Sequence, residues 1–262
     1  MNFTYLSKTV SIKTISESLN QGVFEIEGLF AGYGLTIGNA LRRVLISSLP
    51  GAAVTQIKIK NASHEFTTLP GVNEDMVEVS LNFKKLRFKM SIDEPQVLTL
   101  KVKGEKVVTA ADIKINSEVE IVNPNEIIAT LTSKSAELDI ELTVKRGLGY
   151  SAVEARKDEE KLGIGAIAID AFFSPVRKVS YTVENMRVGD ITNYNRLRFD
   201  IETDGTISPS TALHKCANIL IDHFKAISEV NAQEFDLPAT KVSKENEGVK
   251  IKKASSKKKS EK

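Results

Sequence analysis

The stretch from Gly32 to Gly51, G-Y-G-L-T-I-G-N-A-L-R-R-V-L-I-S-S-L-P-G, constrains this chain more than any other. Glycines open it, two adjacent arginines sit in its middle, and Pro50-Gly51 closes it. Thr36 reads as an N-cap and Pro-Gly as a helix stop. At about 100° per residue, Ile37, Leu41, Val44, Leu45 and Ser48 fall on one stripe. Asn39, Arg42, Arg43 and Ile46 fall on the other side. Ile46 lies angularly between the two arginines, which is odd for a solvated face. The helix therefore has two contact faces: one packs on the chain's own core, the other meets a partner.

The charge balance separates a body from a tail. The 262 residues carry a formal net charge of +2, but Lys241 to Lys262 alone hold nine Lys and three Glu. The remainder has 27 basic and 31 acidic residues, so the folded body is mildly acidic. A body that grips nucleic acid over a broad face is usually basic itself. The tail is poor in hydrophobics and reads as disordered and solubilising, with weak salt-sensitive attraction to nucleic acid as the alternative. No run approaches the roughly 18 apolar residues of a membrane span. The N-terminus lacks the charged start and apolar core of a signal peptide. A single cysteine, Cys216, precludes an internal disulfide and fits a reducing compartment. Its place in a helical pattern makes it a small buried hydrophobe.

Around the opening helix the periodicity changes twice. Lys8–Lys13 and Val23–Glu27 alternate about an Asn20-Gln21-Gly22 turn, the pattern of a hairpin. After Gly51, period-two patterns dominate. Strands are expected at Val54–Ile59, Val77–Phe83, Leu86–Ile92, Val97–Val102, Val119–Val122 and Leu138–Val144. Arg146 to Lys161 reads as a long polar loop, of a size that is often functional. Ile167 to Phe173 is apolar. Val179–Val183 and Leu197–Ile201 alternate again. Ser208-Pro209 then opens a second helix, with an N-cap and proline at its first position, running to about Val230. Leu213, Ala217, Leu220, Phe224 and Ile227 step along it by four and three, the spacing of a helix-packing seam. A flanking line of Ala212, Cys216, Ile219, His223 and Ala226 widens that front. Packing within one domain and a dimer interface both explain it.

A catalytic reading finds little to stand on. Gly32 to Gly38 spells G-x-G-x-x-x-G, one residue longer than a dinucleotide fingerprint, and no P-loop lysine follows. A phosphate- or nucleotide-binding enzyme using this turn is the rival reading; the plainer one is a tight turn into the helix. The three histidines are scattered, no Cys/His cluster has metal spacing, and no nucleophile elbow occurs. Nor are aspartates clustered to hold paired Mg²⁺ ions.

The run G-L-T-I-G-N-A-L-R-R-V-L-I-S-S-L-P-G resembles the signature helix of the bacterial-type DNA-directed RNA polymerase alpha subunits. Supporting stretches follow in order: A-V-T-Q-I-K-I, H-E-F, G-V-N-E-D, L-N-F-K, V-T-A-A-D-I, E-I-V-N-P, V-K-R-G-L-G-Y, D-A-F-F-S-P-V and G-T-I-S-P-S-T-A-L. The resemblance spans about residues 1–235 and implies an α+β fold. Residues 1–50 and 172–235 would form a discontinuous α/β dimerisation domain, 51–171 an inserted, mainly β domain, and 236–262 a disordered Lys-rich tail.

The resemblance also implies a role. Such a chain homodimerises and scaffolds the β and β′ subunits for transcription, with no catalytic residue and no cofactor of its own; any Mg or Zn belongs to partner subunits. Matched by motif, Arg42, Arg43 and Ile46 would meet β, and Lys84 and Ile169 would meet β′. The dimer interface would take Ile37, Leu41, Val44, Leu45, Leu213, Ala217, Leu220, Phe224 and Ile227. DNA would be met within the holoenzyme, in the cytoplasm at the nucleoid, with no membrane partner. Family members commonly continue through a linker into a small helical domain that binds promoter DNA. This sequence has the Lys-rich stretch there instead, so that domain is either cut away or not part of this version.

Overall fold

The computed structural model describes residues 9–62, 64–156 and 165–230; the Lys-rich tail lies outside them. The chain begins with the hairpin β1 (Ser11–Glu17) and β2 (Gln21–Leu29), then α1 (Tyr33–Ser47). Next come β3 (Pro50–Ile59), α2 (Met76–Lys85), β4 (Phe88–Met90), β5 (Gln96–Lys103) and β6 (Lys106–Thr109). These are followed by β7 (Ile113–Lys114), β8 (Val119–Ile121), β9 (Ile127–Leu131), β10 (Glu137–Leu148), β11 (Tyr150–Ser151) and α3 (Val153–Arg156). The chain continues with β12 (Ala166–Ala168), β13 (Ala171–Phe172), the long hairpin β14 (Val176–Val188) and β15 (Ile191–Thr203), and α4 (Pro209–Ser228). The fold class is α+β.

The two ends of the chain build one sheet, ordered β1-β2-β15-β14. Alternation decides its faces. Phe24 and Ile26 of β2 and Leu197, Phe199 and Ile201 of β15 are buried beneath α1 and α4. The opposite face is wet and carries cross-strand ion pairs: Lys13–Glu27 at 2.6 Å, Arg196–Glu27 at 3.2 Å and Arg198–Glu25 at 3.8 Å. The middle of the chain builds a second sheet, ordered β7-β5-β10-β3-β4-β8, with β12 added to β3. Its core is larger and separate, with Leu138, Ile140, Leu142 and Val144 of β10 fully buried at its centre.

Between the two cores lies a small joint of Ala53, Ala171 and Phe173. Gly51 and Gly147 face each other across the β3–β10 ladder and leave a slot for Phe173. A Cβ on Gly51 would sit 1.8 Å from the Phe173 carbonyl oxygen; one on Gly147 would sit 2.7 Å from the Phe173 ring.

Two local expectations are corrected. Val77–Phe83 is helical, part of α2. Val77, Val79, Leu81 and Phe83 alternate like a strand, but Met76, Val79 and Phe83 are the residues buried, at helical spacing. Asp75 decides the matter by accepting the Glu78 amide at 2.7 Å as a side-chain N-cap. The segment from Arg146 is likewise not a plain loop. It finishes β10, forms β11 against β13, and makes the single turn α3; residues 157–164 lie outside the described residues.

Candidate interaction surfaces

Helix α1 lies unusually close to its sheet. A Cβ on Gly34 would meet Val183 at 2.7 Å and one on Gly38 the Tyr181 ring at 2.8 Å. Two glycines one turn apart therefore let the helix backbone approach the strands, and Leu41 and Leu45 continue the buried stripe. Ile37 and Val44 are half-buried beside it. The N-cap is Gly32, in the left-handed region at φ 88°, and not Thr36, which lies inside the first turn. Gly32 has no side chain to cap with, and Asn195 of β15 supplies the acceptor. Its Oδ1 takes the Gly32 amide at 2.9 Å and the Gly34 amide at 3.3 Å.

That arrangement disposes of the phosphate cradle. The amides an anion would need are already taken by a 7% exposed side chain. Asn195→Ala is expected to strand both donors and lower stability by about 1–3 kcal/mol. Asn195→Asp keeps the acceptor and should lose much less; thermal unfolding of the two variants is the measurement. Equal losses in both would remove Asn195 from the cap.

The outer face of α1 carries Arg42, Arg43 and Ile46, as expected from the pattern, but the three are not equivalent. Arg42 turns back, its Nε donating to the Val179 carbonyl at 3.4 Å. The Arg43 guanidinium has no hydrogen bond or ion pair among the described residues. Ile46, one turn on, is 37% exposed. Arg43 and Ile46 are neighbours at i and i+3, so a charged fork sits beside an apolar patch.

Lys84 and Ile169 line the same open groove, but Ile169 is only 5% exposed and belongs mainly to the core of the second sheet. Its neighbour Asp170 takes the surface position. Asp170 Oδ1 accepts the Val153 amide at 3.1 Å, and Oδ2 lies 3.3 Å from Lys84 Nζ. The Val153 amide, opposed by partial burial and joined by Tyr150 and Lys84, holds the Asp170 carboxyl below its ordinary pKa. Its contribution to stability is thus complete above the ordinary carboxylate value and fades as pH falls through the lowered one. Hydrogen bonding to the Asp170 carboxylate, and next partial burial, raises the Tyr150 phenol. Lys84 Nζ lies 5.8 Å from the Tyr150 ring centroid. Lys84, in the last turn of α2 and not on a strand, is held in place on one side of an open groove of about 740 Å³. Val77, Leu81, Phe66 and Ile167 give that groove its apolar lining.

Helix α4 is capped as read: the Ser208 Oγ accepts the Thr211 amide at 3.3 Å and Pro209 is its first residue. Its seam divides along its length. Leu213 is buried on α1 and the sheet, and Ala217 and Leu220 are half-buried. Leu41, Leu45 and Leu213 are thus buried within the single chain, at 6%, 0% and 7% exposure. Beyond them the row is open: Ile221, Phe224, Ile227 and Val230 are 47%, 61%, 65% and 75% exposed. Cys216 packs inward with its thiol on the Leu41 carbonyl at 3.4 Å, and burial raises its pKa to about 11.

Asn195 carries no sequence signal of its own; Gly51, Gly147, Tyr150 and Asp170 fall in motif stretches, but their roles run through residues distant in the chain. Among the described residues no group of three or more His, Cys, Asp or Glu could hold a metal ion. Among them, too, no helix is long and apolar enough to cross a membrane.

Comparison with known proteins gives the chain a family. Residues 57–174 match the RNA polymerase Rpb3/RpoA insert domain. The chain is 47% identical over 226 residues to the DNA-directed RNA polymerase subunit alpha of Moorella thermoacetica, covering 86% of this chain and 71% of that one. It is 48% identical over 220 residues to the subunit of the same name from a Roseiflexus species, covering 84% and 67%. A third such subunit, from Carboxydothermus hydrogenoformans, is 48% identical over 221 residues, covering 84% and 70%.

Proposed function

The chain belongs to the family of bacterial DNA-directed RNA polymerase alpha subunits, and we propose that it is the non-catalytic scaffold on which the β and β′ subunits assemble. Two copies pair through the open half of α4 together with the half-buried flank of α1. Residues 1–50 and 172–235 form the dimerising part, and 51–171 the inserted part. Arg43 and Ile46, with Arg42 behind them, face β. Lys84, set by Asp170 and Tyr150, faces β′. Nucleotidyl transfer and any Mg or Zn it needs belong to the partner subunits. The complex works in the cytoplasm at the nucleoid and meets DNA as a whole.

One observation carries this reading: the apolar row that α4 extends past its own core. Three large apolar side chains on the last turns of α4, Ile221, Phe224 and Ile227, with Val230 just past its end, are unprotected by the chain itself, which is what an interface requires. The two assembly steps then separate experimentally. Arg43→Ala, co-expressed with β and β′, is expected to capture at least about tenfold less β, the size of one lost charge-assisted contact, while still eluting as a dimer. Undiminished capture would remove Arg43 from the β surface.

A further inference from the structure

The joint between the two cores bears a basic pocket that the assembly reading leaves unused. It measures about 470 Å³ and is lined by Lys85, Arg87, Asn123, Glu126, Phe172 and Arg177. Arg87, in the connection from α2 to β4, is firmly seated. Its Nη1 donates to the Lys84 and Leu86 carbonyls, each at 3.1 Å, and its Nε lies 3.8 Å from Asp204 Oδ2. Asn123 fixes the backbone below it, taking the Arg87 amide at 2.8 Å and donating to the Lys85 carbonyl at 3.1 Å. Arg177, at the start of β14, is exposed and has no hydrogen bond or ion pair among the described residues. Burial, and next the positive charge of Arg177, depress the pKa of Arg87, while Asp204 and Glu126 raise it. The two guanidinium groups therefore repel each other across the pocket. Lys85 rests on a neutral partner, the Asn82 carboxamide oxygen, at 2.9 Å.

Charge balance decides what such a pocket accepts. Asp204 and Glu126 both act on Arg87, and against the three cations Lys85, Arg87 and Arg177 these two carboxylates leave a single positive charge over. We propose that this pocket is a socket for one carboxylate side chain of a partner polypeptide, gripped by the Arg177 fork with Arg87 behind it. A guanidinium fork matches a carboxylate or a phosphate equally well in shape. A phosphate dianion, however, brings a second negative charge against Glu126 and Asp204, whereas a carboxylate leaves the site neutral. Phe172, 38% exposed, offers an apolar wall for the stem of the incoming side chain. Arg87 belongs to the inserted sheet's side and Arg177 to β14 of the terminal sheet. The occupant consequently touches both parts of the chain. This inference stands apart from the assignment of Arg43 and Lys84.

The test uses the full chain with isotope-labelled arginines, at constant ionic strength. The probes are acetyl-Ala-Glu-Leu-amide, its glutamine counterpart and sodium phosphate. The Arg177 Nε–Hε resonance is expected to shift saturably with the glutamate peptide and not with the glutamine peptide. Arg177→Gln, an exposed substitution, should weaken the glutamate peptide at least about tenfold, followed on Arg87 Nε–Hε. Arg146→Gln, a residue paired with Asp93 and absent from the pocket lining, should leave the affinity unchanged. Equal behaviour of the two peptides, undiminished binding by Arg177→Gln, or saturation by phosphate at lower concentration than by the glutamate peptide would each overturn the socket.

Discussion

Replacing Phe224 and Ile227 together by alanine is expected to turn the dimer into a monomer that remains folded. Both side chains lie past the last residue of α4 that touches the chain's own core, so their removal opens no cavity within it. Burial of a Phe or Ile side chain at an interface is worth roughly 1.5–3 kcal/mol. In a twofold interface each substitution acts twice, so four truncations remove about 6 kcal/mol or more, on the order of 10⁴-fold in dissociation constant. Sedimentation equilibrium of the variant gives the dissociation constant, and circular dichroism reports the helix. The control is Leu213→Ala. Leu213 is 7% exposed and packs within one chain, so that change should cost about 2–5 kcal/mol of stability and leave the dimer of the folded fraction largely intact. A double variant that dimerises as before would remove α4 from the interface. It would also return the apolar row to the status of an unexplained exposed patch.

That contrast shows how far periodicity reaches. Leu213 and Phe224 stand on the same four-three seam, and the residue pattern treats them alike. Period tells which residues share a stripe; it does not tell what covers each turn of it. The sheet behind α4 ends where the helix does not, and only the three-dimensional length of both elements reveals that. The same holds on α1, where Leu41 and Leu45 are buried while Ile37 and Val44 of the same stripe are half-buried. Local chemistry was far more legible. The Ser208-Pro209 start of α4 and the alternation of β10 were visible because caps and pleats are decided by near neighbours. Helix α2 shows where this fails: Val77, Val79, Leu81 and Phe83 satisfy period two, and the single cap residue Asp75 outweighs them. Of the proposed assembly surfaces, Arg43 and Ile46 were readable as a face. The role of Asp170 in setting Lys84 was not, because it joins α2 to a segment more than eighty positions away.

The joint was the least legible part, and it yields the second large effect. Gly51→Ala is expected to destabilise the chain by about 3 kcal/mol or more, the upper end of overpacking penalties. The added Cβ would stand 1.8 Å from the Phe173 carbonyl oxygen, and backbone cannot step aside as a side chain can. The preceding peptide is held by the Phe173 amide, which donates to the Gly149 carbonyl at 2.8 Å. For a chain of this size the loss corresponds to a fall in thermal midpoint of roughly 6–12 °C. Gly147→Ala meets the ring of Phe173 at 2.7 Å and not its backbone, so its penalty should be smaller. It should also be partly rescued by Phe173→Leu, whose shorter side chain vacates the space. Gly51→Ala should not be rescued by that change, because the obstructing atom remains. Calorimetry on the three single variants and the two double variants separates these outcomes. A Gly51→Ala midpoint within about 2 °C of the parent, under roughly 1 kcal/mol, would mean that the joint yields. In that case the placement of Lys84 relative to Arg43 could not be credited to a rigid connection. A rigid joint has the opposite consequence: Gly147→Ala should lower capture of β′ at temperatures where the dimer and the capture of β persist, because it shifts one docking surface and leaves the other on its own sheet.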